Sequence, residues 1–301
     1  MTRALEMIRT WAEMVKFSHS IFALPFALMA TFLAGRHLPT GVPAPGQLGL
    51  IVACMVAARS FAMTFNRIAD AAIDARNPRT DRRPIPAGRI SVAQAWTFLV
   101  ASGIAFVASC GGFLWAYGNP WPLYLAAPTL AVLAAYSYTK RFTTAAHFVL
   151  GAAIALAPAA AWIAIDPATI GSTAVILTAA VLFWIAGFDI IYACQDVGPD
   201  RRERLFSLPA KLGIGRALTI SRGCHIMTIA LLVLLGRVGP FGWIYWIGVT
   251  ATALLLAAEQ AIVRADDLSR VNLAFFTLNG CVSLMLATAA VTDLLLLRSS
   301  H

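Results

Sequence analysis

The fold class this sequence predicts is an all-α integral membrane protein: a bundle of nine transmembrane helices, one domain over residues 1–301, with its cavity opening near the cytoplasmic side. Three observations predict it. Hydrophobic residues make up 59% of the chain and charged residues 12%, whereas an ordinary soluble domain carries about 25% charge. That is too little charge to coat a soluble globule of this length. Apolar runs long enough to cross a bilayer recur along almost the whole sequence. The Lys and Arg residues gather in alternate connections between those runs.

In chain order the expected spans are roughly 17–35, 48–70, 92–115, 121–138, 145–164, 172–194, 217–236, 241–262 and 272–296. The first follows a basic N-terminus, as a cleaved signal peptide would, and is expected to be retained. Pro43 and Pro45, Pro120 and Pro122, and Pro167 fall in connections, where helix breaking is wanted. No segment reads as a strand. With the N-terminus inside, 19 of the 23 Lys and Arg lie on inside segments, three (Arg36, Arg237, Arg298) lie outside, and Arg59 is within a span. This is the positive-inside asymmetry of a multi-pass membrane protein. The net charge of +9 therefore sits in short loops between spans, which argues against a nucleic-acid partner. The five Cys form no CxxC pair and read as small buried hydrophobes.

The second span ends in "NRIADAAIDARNPRTDRRPIPAG". Residues four apart on a helix share a face, so Asn66, Asp70 and Asp74 line one stripe. The sixth span ends in "DIIYACQDVGPD", where Asp189, Tyr192, Asp196 and Asp200 fall on one face, with Gly198 and Pro199 placed to interrupt the helix before Asp200. The two stretches also repeat a pattern: Asp-x3-Asp, then Arg residues, then an apolar-Pro-Ala turn. A solvated helix end explains one such Asp. Two carboxylate stripes sharing a cavity would repel, and a divalent cation removes the conflict. Hard carboxylate oxygens suit Mg²⁺, which takes one or two carboxylates plus phosphate oxygens. Arg82, Arg83, Lys140 and Arg141 lie at the same membrane side, where they either hold a diphosphate or merely anchor the topology. A diphosphate at the mouth of an apolar bundle points to a lipid diphosphate. Mg²⁺ would stabilise its departure, and the resulting allylic cation would alkylate an electron-rich acceptor.

The pattern resembles the UbiA superfamily of intramembrane aromatic prenyltransferases, and most of all its bacterial 4-hydroxybenzoate polyprenyltransferases. The family's Asn-x3-Asp-x3-Asp motif matches Asn66, Asp70 and Asp74; its Tyr-Ala-x2-Asp-x3-Asp motif matches Tyr192, Ala193, Asp196 and Asp200. "KFSHSIFALPFAL", "RPIPAG", "YSYTKRFT", "FDIIYACQD" and "AFFTLNG" extend the likeness over nearly the whole chain. The resemblance implies two Mg²⁺ ions, a prenyl diphosphate donor and an aromatic acid acceptor in ubiquinone or related quinone biosynthesis, with no obligate protein partner. The metal set is then Asn66, Asp70, Asp74, Asp196 and Asp200, with Asp189 in support. Lys140 and Arg141 assist departure, and Arg82, Arg83 and Tyr192 contact substrate.

A menaquinone-pathway enzyme acting on a hydroxylated naphthoate is the nearest alternative. A transporter is the alternative of another class, since intramembrane acids often mark ion pathways, but such sites usually lie near the midplane. CDP-alcohol phosphotransferases also carry Asp-x3-Asp, but need an Asp-Gly pair that "DAAIDAR" lacks. Arg59 lies seven residues before Asn66 and so shares its helical face, about two turns or roughly 10 Å deeper. A guanidinium fork matches a carboxylate, so Arg59 is expected either to hold the acceptor's carboxylate or to tie helices through Asp189 or a backbone carbonyl.

Overall fold

The computed structural model describes residues 2–16 and 20–299. Phe17, Ser18 and His19, which open the expected first span, lie outside the described residues. Thirteen α-helices are described: α1 Thr2–Val15, α2 Ser20–Gly35, α3 Pro45–Ala69, α4 Ala71–Asp74, α5 Val92–Tyr117, α6 Trp121–Thr139, α7 Ala146–Ile165, α8 Ser172–Ala193, α9 Val197–Arg202, α10 Leu208–Leu212, α11 Ile214–Val238, α12 Trp243–Ile262 and α13 Asn279–Ser299. No strand occurs among the described residues.

Seven helices are long and apolar enough to cross a membrane: Pro45–Ala69, Val92–Tyr117, Ala146–Ile165, Ser172–Arg202, Ile214–Val238, Trp243–Ile262 and Leu273–Arg298. They correspond to seven of the nine expected spans. The other two also form helices. α2 has 16 residues, roughly 24 Å at the α-helical rise, short of the hydrocarbon thickness of about 30 Å. α6 has 19 residues and is not among the seven.

The chain forms two compact units: residues 1–20 with 52–139, and residues 21–51 with 140–301. In the first, the basic N-terminus that precedes the expected first span forms a helix of its own, α1. Trp11 and Met14 pack with Ile68, Ile85, Ile90 and Ala95, closing α1 over the loop that follows α4. Arg89 fixes the same contact from outside, donating to both oxygens of Glu13 at 2.8 Å. This pairing holds the Glu13 carboxyl below its ordinary pKa. α1 ends at Lys16, in the left-handed region with φ 49°. Ser91 and Gln94 form a capping box that starts α5, and Gly118 at φ 67° ends it. Cys54 and Cys110 meet in this unit at 3.8 Å between sulfurs, both as thiols.

The second unit is built on α8, which packs extensively against α7 and α11. Small residues make these approaches possible. A Cβ on Gly151 would lie 2.5 Å from the Leu182 carbonyl oxygen, so α7 meets the α8 backbone there. Gly187 carries the buried His225 ring on its face. α2 joins through an aromatic cluster: Phe22 and Phe26 contact Trp184, and Phe22 also meets Phe188 and Phe275. The "AFFTLNG" stretch becomes a π-helical turn, Leu273–Leu278, leading into α13. Asn279 then accepts from Trp184 Nε1 at 2.7 Å and donates to the buried Glu259 at 2.9 Å. Asp293 on α13 accepts from the backbone N–H groups of Gly242 (2.5 Å) and Ile244 (3.3 Å), a carboxylate at the start of α12. Cys194 and Cys224 are buried as expected, whereas Cys281 is exposed.

Gly187→Ala is expected to destabilise the protein by about 2–3 kcal/mol. The His225 ring cannot swing away, because Gln260 Nε2 holds its Nδ1 at 3.0 Å and its site is sealed. A melting curve in detergent reads the effect; an unchanged Tm would show that the ring yields.

Candidate active site

The first acidic station forms where α3 passes into α4. The helical ladder continues through it: Asp70 N–H donates to Asn66 C=O at 2.9 Å and Asp74 N–H to Asp70 C=O at 2.8 Å. Asn66, Asp70 and Asp74 therefore share one face, as their spacing predicts. Asp70 bends the backbone, at φ −97° and ψ 1°, a sparsely populated bridge conformation common at active sites. Asp70 and Asp74 are only 2% and 4% exposed, and carboxylates so buried need partners. Asn66 Nδ2 donates to Asp70 Oδ2 at 3.1 Å, which leaves its own Oδ1 available as a ligand oxygen. Arg83 Nη1 donates to both oxygens of Asp74, at 2.7 and 2.8 Å. Arg67, in the sequence only one of the inside Arg residues, is 5% exposed and reaches Asp74 at 4.0 Å, with its Nε buried and unpartnered. Arg82 is exposed beside them. The "RRPIPAG" stretch is a turn, closed by Ile90 N–H to Pro84 C=O at 3.0 Å, and that turn presents Arg83 to Asp74.

Arg59 is placed in α3 as expected. Its Nη2 donates to the Lys16 carbonyl at 3.1 Å, and its Nε is buried without a partner. Arg59 thus ties α3 to the end of α1 through a backbone carbonyl, with donors of its fork to spare.

The second station forms where α8 passes through a 3₁₀ turn, Cys194–Asp196, into α9. The break falls at Cys194–Asp196 and not at Gly198 and Pro199, where the sequence places it; those two lie inside α9. A proline in the first helical turn loses no hydrogen bond, which is why Pro199 is tolerated there. Asp196 has φ −104° and ψ 10°, nearly the conformation of Asp70. Each station therefore carries the same bend at its first Asp, followed by a short helix bearing the second. Ser207, Lys140 and Asp196 lie in electrostatic range of Asp200. Phe206 N–H donates to the Lys140 carbonyl at 2.7 Å, which brings Lys140 to this station; Arg141 is exposed next to it. The Tyr192 ring packs on Phe275 at 4.2 Å.

Asp189, seven residues before Asp196, meets a partner that the sequence does not reveal. His147 Nδ1 lies 2.7 Å from Asp189 Oδ2, and the Leu208 backbone N–H donates to His147 Nε2 at 3.3 Å. A ring nitrogen that accepts carries no proton, so the hydrogen sits on Nδ1 and is donated to Asp189. The available signal was an ionisable residue at the start of an apolar span, which is rare without a role.

Among the described residues, no three His, Cys, Asp or Glu side chains converge as a metal cage. The donor set nevertheless fits Mg²⁺, which needs few protein carboxylates when phosphate oxygens complete its shell. Each station offers hard oxygens with a cationic side chain beside them.

The model of a family described as the UbiA prenyltransferase family matches residues 23–281. The chain is 32% identical over 224 residues to a 4-hydroxybenzoate solanesyltransferase of Synechocystis, covering 73% of this chain and 72% of that protein. An apo UbiA homolog from Aeropyrum pernix K1 superposes with a TM-score of 0.80 at 30% identity, over 91% of this chain and 98% of that one. A UbiA homolog from Archaeoglobus fulgidus bound to GPP and Mg²⁺ shares the fold at 17% identity, with a TM-score of 0.66 over 94% and 99%.

Proposed function

The chain belongs to the UbiA prenyltransferase family and is a membrane prenyltransferase, and from that premise we propose its specific reaction: Mg²⁺-dependent transfer of a polyprenyl group from a prenyl diphosphate to 4-hydroxybenzoate or a close aromatic acid. The observation that carries this reading is the pair of acidic stations, each bent alike at its first Asp and each flanked by cationic side chains. The name of the Synechocystis relative supports the acceptor class. The Archaeoglobus homolog's complex supports the donor and the metal. We further read α2 and α6 as spans beside the seven, giving nine, with the N-terminus inside; the Lys and Arg distribution supports this reading.

Asn66, Asp70 and Asp74, and likewise Asp196 and Asp200, would hold Mg²⁺, one ion at each station. When bound, the metal would draw off negative charge as the diphosphate leaves. The protein's own groups do the rest. Asp74 and Arg83 neutralise each other; a cation and a diphosphate arriving together would offer each a partner of the sign it already has. Arg82, Arg83, Lys140 and Arg141 would hold diphosphate oxygens through charge-assisted bonds, about twice as strong as neutral ones. Tyr192, seated on Phe275, would line the start of the prenyl chain. Arg59 would hold the acceptor's carboxylate.

The test is the purified protein incubated with Mg²⁺, prenyl diphosphates of increasing length, and either 4-hydroxybenzoate or a hydroxylated naphthoate. The expected result is prenylated hydroxybenzoate, with no donor consumed when the aromatic acid is left out. Preference for the naphthoate would shift the acceptor to the menaquinone type. Donor consumption that ignores the aromatic acid would overturn the reading.

A further inference from the structure

We infer that His147 is a positioning residue that holds Asp189 ready to take the ring proton of the aromatic acceptor; this rests on the prenyl-transfer reading above. Asp189 is the one acidic residue of α8. It lies seven residues, about two turns or roughly 10 Å, before Asp196. Mg²⁺–oxygen bonds are about 2.1 Å, so Asp189 cannot share an ion held at Asp196 and Asp200. A carboxylate within a span is expensive unless paired or used, and its partner here is a neutral imidazole.

The pair is built asymmetrically. The His147 side chain is 6% exposed and that of Asp189 22%, so the imidazole is sealed while the carboxylate is partly open. His147 occupies Oδ2, and Oδ1 has no donor among the described residues. Both ring nitrogens of His147 are committed, one to Asp189 and one to the Leu208 N–H. Gly151, one turn along α7, brings that helix onto the Leu182 carbonyl of α8 and fixes the register in which His147 meets Asp189.

In the substitution, the donor's C1–O bond breaks and its electron pair leaves with the diphosphate. The ring carbon beside the hydroxyl bonds to C1. The C–H bond of that carbon then returns its pair to the ring, and the proton passes to Asp189 Oδ1, to be lost to water as product departs. A neutral N–H donor suits this task. It fixes the carboxylate through the whole step while its own proton stays on Nδ1.

The experiment uses the full chain in detergent with Mg²⁺, geranyl diphosphate, and 4-hydroxybenzoate carrying hydrogen or deuterium at the carbons flanking the hydroxyl carbon. His147→Leu is expected to lower kcat by about a hundredfold, the lower end of what a positioned base contributes. The donor KM should stay unchanged. Loss of the ring proton should become rate-limiting, so a primary deuterium effect absent from the wild type appears. His147→Asn, whose amide nitrogen takes the place of Nδ1, should restore most of the rate and abolish the isotope effect. A Leu variant that loses rate without an isotope effect, an Asn variant no better than Leu, or two fully active variants would each overturn the inference while leaving the prenyl-transfer reading intact. A wild type that prenylates no aromatic acid would overturn both.

Discussion

Asp70→Asn and Asp196→Asn are each expected to lower prenyl transfer by roughly a thousandfold or more, equivalent to about 4 kcal/mol of lost transition-state stabilisation. Each change removes one anionic oxygen from a station and keeps the side-chain volume. At Asp70 the new amide oxygen can still accept from Asn66 Nδ2, which now donates to Asp70 Oδ2 at 3.1 Å. The local fold therefore has little reason to change, and the loss belongs to the chemistry. Rates at saturating donor across a Mg²⁺ series measure it, beside a melting curve as control. The wild type should fall silent in a chelator and recover on adding Mg²⁺. Full activity in chelator would remove the metal from the reading.

Arg59→Ala is expected to raise the KM for the aromatic acid by roughly a hundredfold, the value of a charged, hydrogen-bonded pair of about 3 kcal/mol. The donor KM should hold. The Lys16 carbonyl accepts from only one of its nitrogens, and Nε is buried without a partner. A donor left unsatisfied in a buried site is costly, which fits a group kept for a ligand. The competing role is mechanical: Arg59 ties α3 to the end of α1. Loss of that tie alone would lower Tm and weaken donor and acceptor alike. Arg59→Lys separates the two, because an ammonium can keep the Lys16 carbonyl but has no fork for a carboxylate. Recovery of Tm without recovery of the acceptor KM supports the carboxylate role; recovery of both supports the tie.

Composition and periodicity by themselves determined that this chain is helical and built for a membrane. They also marked two carboxylate stripes, because a four-residue spacing on a helix is a local property. Asn66, Asp70 and Asp74 share a face in the structure for the reason the spacing gives. The sequence was less informative wherever a helix is short or weakly apolar. It missed α1, an N-terminal helix held by Trp11, Met14 and the Glu13–Arg89 pair rather than by a long hydrophobic run. It also set the break in the second station too late, at Gly198 and Pro199, whereas the α-helix gives way to a 3₁₀ turn at Cys194–Asp196.

The tertiary structure alone decided which partner each polar side chain takes. Asp74 goes to Arg83, nine residues on, because the intervening turn folds back. Asp189 goes to His147, 42 residues earlier, because Gly151 lets α7 press against the α8 backbone. Arg59 goes to the Lys16 carbonyl because α1 ends in the left-handed region beneath it. Asn279 joins Trp184 to Glu259 only because a π-helical turn sets its rotation about α13. Hydrogen bonds form within about 3 Å. A helical period places residues on a face to within a turn, but the last few ångströms between helices depend on packing, where one Cβ more or less moves the partner out of reach.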